Sequence, residues 1–159
     1  MPSVRIAIFE PDIPQNTGTL LRLAACLGLA VDLIAPAAFD MSERAFRRAG
    51  LDYLQHVTVE RHASFEAFLA VSRRSGRRIV LLSTKAATSY LELVYSIDDV
   101  LLVGRESAGV PEHVHAAADT RVRIPMRAGM RSLNVAVAAA MVLGEAMRQT
   151  GGLAQSRPG

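Results

Sequence analysis

The sequence predicts an α/β layer fold around a mostly parallel sheet, and two observations carry that expectation. Short apolar runs rich in valine, isoleucine and leucine alternate along the chain with longer segments whose apolar residues recur every three or four positions. One run, DDVLLVG at 98–104, is apolar through its whole middle, as a strand covered on both faces must be.

The elements follow in order. VRIAIF (4–9) reads as a buried strand, and EPDIPQNTG is a loop stiffened by two prolines. TLLRLAACLGL (19–29) has helical spacing, with Gly28 placed to end it. VDLIAP (31–36) is the second strand. MSERAFRRAG is a short helix with Ser42 as its cap and Gly50 as its stop. HVTVE (56–60) is strand-like, and SFEAFLAVSRR is a helix capped by Ser64. RRIVLLST (77–84) and DDVLLVG are strands, and the second of them reads as central. PEHVHAAAD starts a helix at Pro111, where a missing amide proton costs nothing. RVRIPM (121–126) is the last strand, and the final helix spans about 133–149. Residues 1–150 form one domain, and 151–159 form a flexible tail.

Half of the 159 residues are hydrophobic, which allows a large core for this length and argues against a disordered chain. The formal net charge is +3 and the pI about 9.6, and Lys85 is the only lysine. Arginine offers a planar fork of donors suited to phosphate, so the basic excess fits a nucleic-acid partner; a GC-rich genome would favour arginine equally. Cys26 lies in an apolar helical stretch and reads as a small buried hydrophobe. The N-terminus has no signal-peptide pattern, and no charge-free apolar run is long enough to span a membrane, so the cytoplasm is the expected location. His56, His62, His113 and His115 have no metal-ligand spacing, and no metal is expected.

Open α/β sheets bind ligands beyond the carboxyl ends of their strands. Four polar loops fall there: EPDIPQNTG, STKAATS, GRESAGVP and PMRAGMRSLN. GRESAGVP is neither a dinucleotide fingerprint nor a phosphate loop. Gly104 and Gly109 let its backbone turn tightly against a flat ligand, or are simply turn glycines around a solvated Glu106. Asn16 caps the first helix or fixes its loop. Arg22, in an otherwise apolar helix, is either a snorkelling surface arginine or a phosphate or ribose contact. Ser132 and Asn134 are both placed to cap the last helix. Arg127 and Arg131 join that helix start in an anion- or cofactor-binding mouth.

PDIPQNTGTLLRLAACLG, RRAGLDY, GRESAGVP and RIPMRAGMRSLNVAVAAA, taken together, resemble the SPOUT superfamily of RNA methyltransferases, and within it the TrmL-like tRNA (cytidine/uridine-34) 2'-O-methyltransferases. The resemblance runs from residue 4 to about 150. It implies a SPOUT fold with helices on both faces of the sheet and a C-terminal deep trefoil knot. It implies a homodimer that binds S-adenosyl-L-methionine (AdoMet) and methylates the wobble ribose of tRNA, with leucine tRNAs the expected substrates; neither DNA nor a membrane is expected as a partner. Carried onto this chain, the cofactor residues are Leu82, Gly104, Ile124, Met126, Ser132 and Leu133. The residues tied to activity are Asn16, Arg22, Glu106, Ser132 and Asn134. Ala136 and Arg105 depart from the common pattern, which bears on loop packing and RNA contact. The competing readings are a ribose methyltransferase acting elsewhere on tRNA or rRNA, a non-catalytic RNA-binding protein, and a metabolic α/β enzyme. The short length and RRAGLDY weigh against the first, the intact NTGTLLR, GRESAG and RSLN against the second, and the missing nucleotide fingerprints against the third.

Overall fold

A computed structural model describes residues 3–153, so residues 154–159 of the expected tail lie outside the described part. Six strands form one sheet: β1 (Arg5–Phe9), β2 (Val31–Ile34), β3 (Val59–His62), β4 (Arg78–Leu82), β5 (Asp99–Val103) and β6 (Thr120–Val122). Their order is β3-β2-β1-β5-β4-β6, and every pairing is parallel. The helices are α1 (Pro14–Leu27), α2 (Glu43–Arg48), α3 (Phe65–Arg74), α4 (Glu112–Ala117) and α5 (Val135–Thr150).

The two-residue period of the strands divides the core into two layers. Ile6, Ile8, Leu101 and Val103 face one side, where α1, α5 and Phe46 of α2 cover them. Ala7, Phe9, Val100 and Leu102 face the other, beneath Phe65 and Phe68 of α3 and Val114 of α4. Phe68 is fully buried, with ring centroids at 6.0 Å from Phe65 and 5.4 Å from His62. Truncating such a ring costs about 3–5 kcal/mol. β5 is buried at all five positions between β1 and β4, as its apolar run predicts.

Several boundaries differ from the sequence reading. α1 begins at Pro14, five residues earlier than expected, because proline at the first helical position presets the backbone angle. Asn16 therefore lies inside the first turn and does not cap it. The helix buries Thr17, Leu20, Leu21 and Ala24 and ends at Gly28, whose φ of 72° closes the last turn onto Ala24. Cys26 is exposed, a correction to its expected burial: it lies off the buried stripe. Ser42 and Ser64 cap α2 and α3 by accepting the Ala45 and Ala67 amides. The stretch Asp52–His56 is a 3-10 turn, which pushes β3 later than the expected 56–60. β6 stops at Val122, because Arg123 pairs with the segment after β4 through Thr88 and Tyr90 rather than continuing along β4 itself. Asn134 alone caps α5, accepting the Ala136 and Val137 amides; Ser132 does not.

Candidate functional site

The chain lays β1, β2 and β3 toward one edge, then crosses to β4 and returns to place β5 beside β1. The strand order reverses there, and a crevice opens at the carboxyl ends. A cavity of about 420 Å³ lies at that end of the sheet. Its walls come from the loops after β4, β5 and β6 and from the start of α5. All six expected cofactor residues line it: Leu82, Gly104, Ile124, Met126, Ser132 and Leu133. Lys85, Glu106, Glu112 and His115 add polar groups.

The loop after β5 is held in one shape. Arg105 and Gly109 exchange backbone hydrogen bonds of 3.0 and 2.8 Å. A Cβ on Gly104 would come within 2.7 Å of the Gly109 carbonyl carbon, and Gly109 itself has φ +62°. The close approach requires one glycine and the left-handed backbone the other. Arg105 lies 5.6 Å above the Phe9 ring centroid and 3.8 Å from the Glu10 carboxylate, which ties this loop to the end of β1.

Asp12, in the loop after β1, ties this turn down. Its carboxylate accepts the Glu106 and Ser107 amides at 3.2 and 3.3 Å and the Ser107 hydroxyl. Burial pushes the Asp12 carboxyl up, but these hydrogen bonds outweigh it and hold it below its ordinary value. Glu106 in turn accepts the Val135 amide at 3.4 Å, setting a carboxylate at the positive end of α5. Beside it, the Asn134 side-chain amide donates to Asn16 at 3.0 Å.

The structure thus brings Asn16, Glu106 and Asn134 together at the start of α5, with Ser132 on the cavity wall. It does not bring Arg22 there. Arg22 is exposed on α1, its guanidinium 5.8 Å from the Tyr53 ring centroid, and it does not line the cavity. Tyr53 donates to the Gly18 carbonyl at 2.8 Å, so it anchors the 3-10 turn to α1. Arg127 and Arg131 are exposed and outside the cavity lining. Sequence reasoning missed Asp12, whose only signal was its place in a loop already marked as functional.

One cluster among the described residues has metal-type donors: Asp32, Glu60 and His62. Spacing could not reveal it, since β2 and β3 pair to assemble it. Asp32, fully buried, already accepts two hydrogen bonds of 3.0 Å from Arg5 and lies 2.9 Å from His62 Nε2. The guanidinium supplies the countercharge a buried carboxylate needs, which makes this a structural ion pair. A second hollow of about 420 Å³ lies at the amino ends of the strands, beside Arg5, Arg77 and Asp99. It is on the wrong edge for an α/β site, and Asp99 is bound by Arg78 at 2.7 Å.

Comparison with known proteins shows the family of the chain and agrees with its fold. The sequence model of the SpoU rRNA methylase family matches residues 3–144. A tRNA (cytidine(34)-2'-O)-methyltransferase of Beijerinckia indica is 63% identical over 150 residues, covering 94% of each chain. A solved structure described as giving insight into 2-OH methylation of C/U34 on tRNA superposes with TM-score 0.84 at 42% identity, covering 92% of this chain and 95% of that one. An AdoMet-bound rRNA methyltransferase from Sinorhizobium meliloti superposes with TM-score 0.82 at 29% identity, over 92% of this chain and 56% of that one.

Proposed function

Because the chain belongs to the SpoU rRNA methylase family, we propose that it transfers a methyl group from AdoMet to the ribose 2'-hydroxyl of nucleotide 34 of tRNA, a cytidine or modified uridine. One observation carries this reading: the chain matches tRNA wobble methyltransferases along almost its whole length, and its carboxyl-end cavity is lined by the residues expected to hold AdoMet.

The cavity suits that cofactor. Its volume falls within the range of about 300–1,000 Å³ usual for small-molecule sites. Leu82, Ile124 and Leu133 offer apolar surface to a flat base, and Lys85, Glu106 and Glu112 offer charges to a zwitterionic amino-acid end. When bound, AdoMet supplies a methyl group that is already electrophilic.

The protein then has to orient the hydroxyl and manage its proton. Asn16 and Asn134 hold one another and present amide groups to the ribose. Glu106 organises the loop beside them, and Ser132 holds substrate at the cavity wall. Arg22 stays protonated, since arginine loses its proton only above about pH 12. It polarises the 2'-hydroxyl and grips the neighbouring phosphate, while that phosphate or solvent takes the proton.

Arg22 lies outside its own chain's cavity, which supports a homodimer whose sites join both subunits. Val137 and Met141 sit exposed one turn apart on α5, and burying them against a second copy would remove apolar surface from water. The knot is part of the same reading. The connection after β4 bonds Arg123 through Thr88 and Tyr90, and bonds Gln149 through Leu93 and Tyr95. It thus touches both ends of the last segment, as a loop encircling that segment would. Residues 1–150 act as one domain, and the reaction belongs in the cytoplasm, among leucine tRNAs.

Mass mapping of tRNA from a strain lacking the protein tests the reading. The methyl on the position-34 ribose should disappear and return when the gene is restored. An intact position 34 with a methyl missing elsewhere would move the target to another RNA site.

A further inference from the structure

We propose that Tyr53 is a positioning residue for Arg22, its ring holding the guanidinium in the place from which Arg22 acts on the ribose 2'-hydroxyl. This inference rests on the catalytic role given to Arg22 above and deepens it by naming what aims that side chain.

Arg22 needs such a partner. It is exposed on α1, and among the described residues no carboxylate pairs with it. A long side chain in water samples many rotamers, and fixing one of them costs entropy that slows any step waiting on it. The Tyr53 ring takes on part of that cost before substrate arrives. Its centroid lies 5.8 Å from the guanidinium carbon, within the range over which the negative face of an aromatic ring attracts a cation.

The ring is itself fixed at two points. Its hydroxyl donates to the Gly18 carbonyl at 2.8 Å. Residues 18 and 22 lie one helical turn apart on the same face of α1, so a ring tethered to the first sits beside the second. The turn that carries the ring is anchored as well. Leu51, Tyr53 and Leu54 pack against the core layer that α1 covers, and the Leu51 amide donates to the Phe46 carbonyl at 3.1 Å. Gly50, with a φ of 81°, lets the chain leave α2 and reach that place. The stretch RRAGLDY thus ends in a ring delivered to Arg22. Tyr53 does not line the AdoMet cavity, so cofactor affinity should not depend on it.

A double-mutant cycle tests the proposal, read by single-turnover methyl transfer at saturating tRNA and AdoMet, with thermal unfolding as the control for folding. Tyr53→Leu should slow transfer roughly three- to tenfold when Arg22 is present. In the Arg22→Ala background the same change should shift the rate by less than about twofold, because a residue that acts only through Arg22 has nothing left to position. Tyr53→Phe gives up the bond to Gly18 but keeps the ring, and should stay within about threefold of the parent. Tyr53→pentafluorophenylalanine keeps the ring's shape without its negative face, so it should fall below the phenylalanine variant even if the leucine variant does not fold. Equal slowing with and without Arg22 would overturn the proposal and leave Tyr53 a structural or RNA-contacting residue. Equal rates for the phenylalanine and pentafluorophenylalanine variants would overturn it too. A parental rate for Arg22→Ala alone would instead sink the catalytic role of Arg22, a failure that shows before Tyr53 is changed.

Discussion

The side-chain amide of Asn134 donates to the side-chain oxygen of Asn16 across 3.0 Å, joining the cap of the last helix to the first turn of the first. The same asparagine accepts the Ala136 and Val137 amides through Oδ1. One residue therefore does two separable jobs. Asn134→Asp keeps a good cap but loses the donor toward Asn16. It should melt close to the parent while methyl transfer falls sharply. Asn134→Ala loses both and should also be destabilised by about 1 kcal/mol. Thermal unfolding beside single-turnover methylation separates the two. An aspartate variant with parental turnover would reduce the Asn16 contact to a bystander.

Asp12 couples the loop after β1 to the loop after β5. Asp12→Ala frees the Glu106 and Ser107 amides and the Ser107 hydroxyl. AdoMet affinity should weaken roughly three- to tenfold, as the cavity wall loses its tether. Calorimetry decides this, and unchanged affinity would mean that the turn holds itself through Arg105 and Gly109.

The two glycines of that turn should respond differently to alanine. At Gly104 the new Cβ meets the Gly109 backbone at 2.7 Å, so the loop must deform and AdoMet binding should be lost or nearly so. At Gly109 the Cβ meets open space, and the cost is the left-handed backbone, about 1–2 kcal/mol. Gly109→Ala should therefore melt lower yet still bind AdoMet. Equal binding losses in both would contradict the geometry.

Much of this was legible in the sequence, and what was not has a physical cause. Ser42, Ser64, Gly28 and Gly50 marked their helix ends because capping and left-handed turns are local chemistry. The six expected cofactor residues share one cavity wall because each sits at a strand end or in a loop at the carboxyl edge of the sheet. The start of α1 was misjudged because Pro14 reads as a loop residue until it is recognised as a first helical position. The buried Arg5–Asp32–His62 cluster was invisible, since those residues meet only through the register of three parallel strands. Cys26 was misread because tertiary packing decides which face of α1 is covered, and the buried stripe of Thr17, Leu20, Leu21 and Ala24 leaves it outside.

Acid should loosen the end of α5. Hydrogen bonds from Arg148 and then Gln149 hold the Glu145 carboxyl down from 4.5 to about 2. A carboxylate with a depressed folded value adds stability above its unfolded value, and that stability is lost as pH falls through the folded one. The loss should therefore develop between about pH 4.5 and 2. Gln149 also binds Leu93 and Tyr95, so the connection after β4 should loosen with it. Glu145→Gln should flatten the melting curve against pH in this window relative to the parent. Parallel curves for the two proteins would exclude Glu145 as the titrating group.

Arg22 gives the sharpest test of the catalytic assignment. It is exposed on α1 over the Tyr53 ring and lies outside the cavity of its own chain. Arg22→Ala should therefore leave folding and AdoMet affinity close to parental. Methyl transfer should slow by roughly 100-fold, the scale set by losing one group that stabilises developing charge. Turnover and catalytic efficiency should fall together, because the lost interaction belongs to the transition state. Arg22→Lys keeps the charge without the planar fork and should restore only part of the rate. If Arg22 served only to attract tRNA, the alanine variant would show a higher KM and a normal rate at saturation. Single-turnover transfer at saturating tRNA and AdoMet distinguishes the two. A mixed dimer of Arg22→Ala and a cavity-blocked Gly104 variant adds a second reading. It should recover one working site only if each site draws Arg22 from one subunit and the cavity from the other. A folded alanine variant with the parental single-turnover rate would leave Arg22 as an ordinary surface arginine resting on Tyr53.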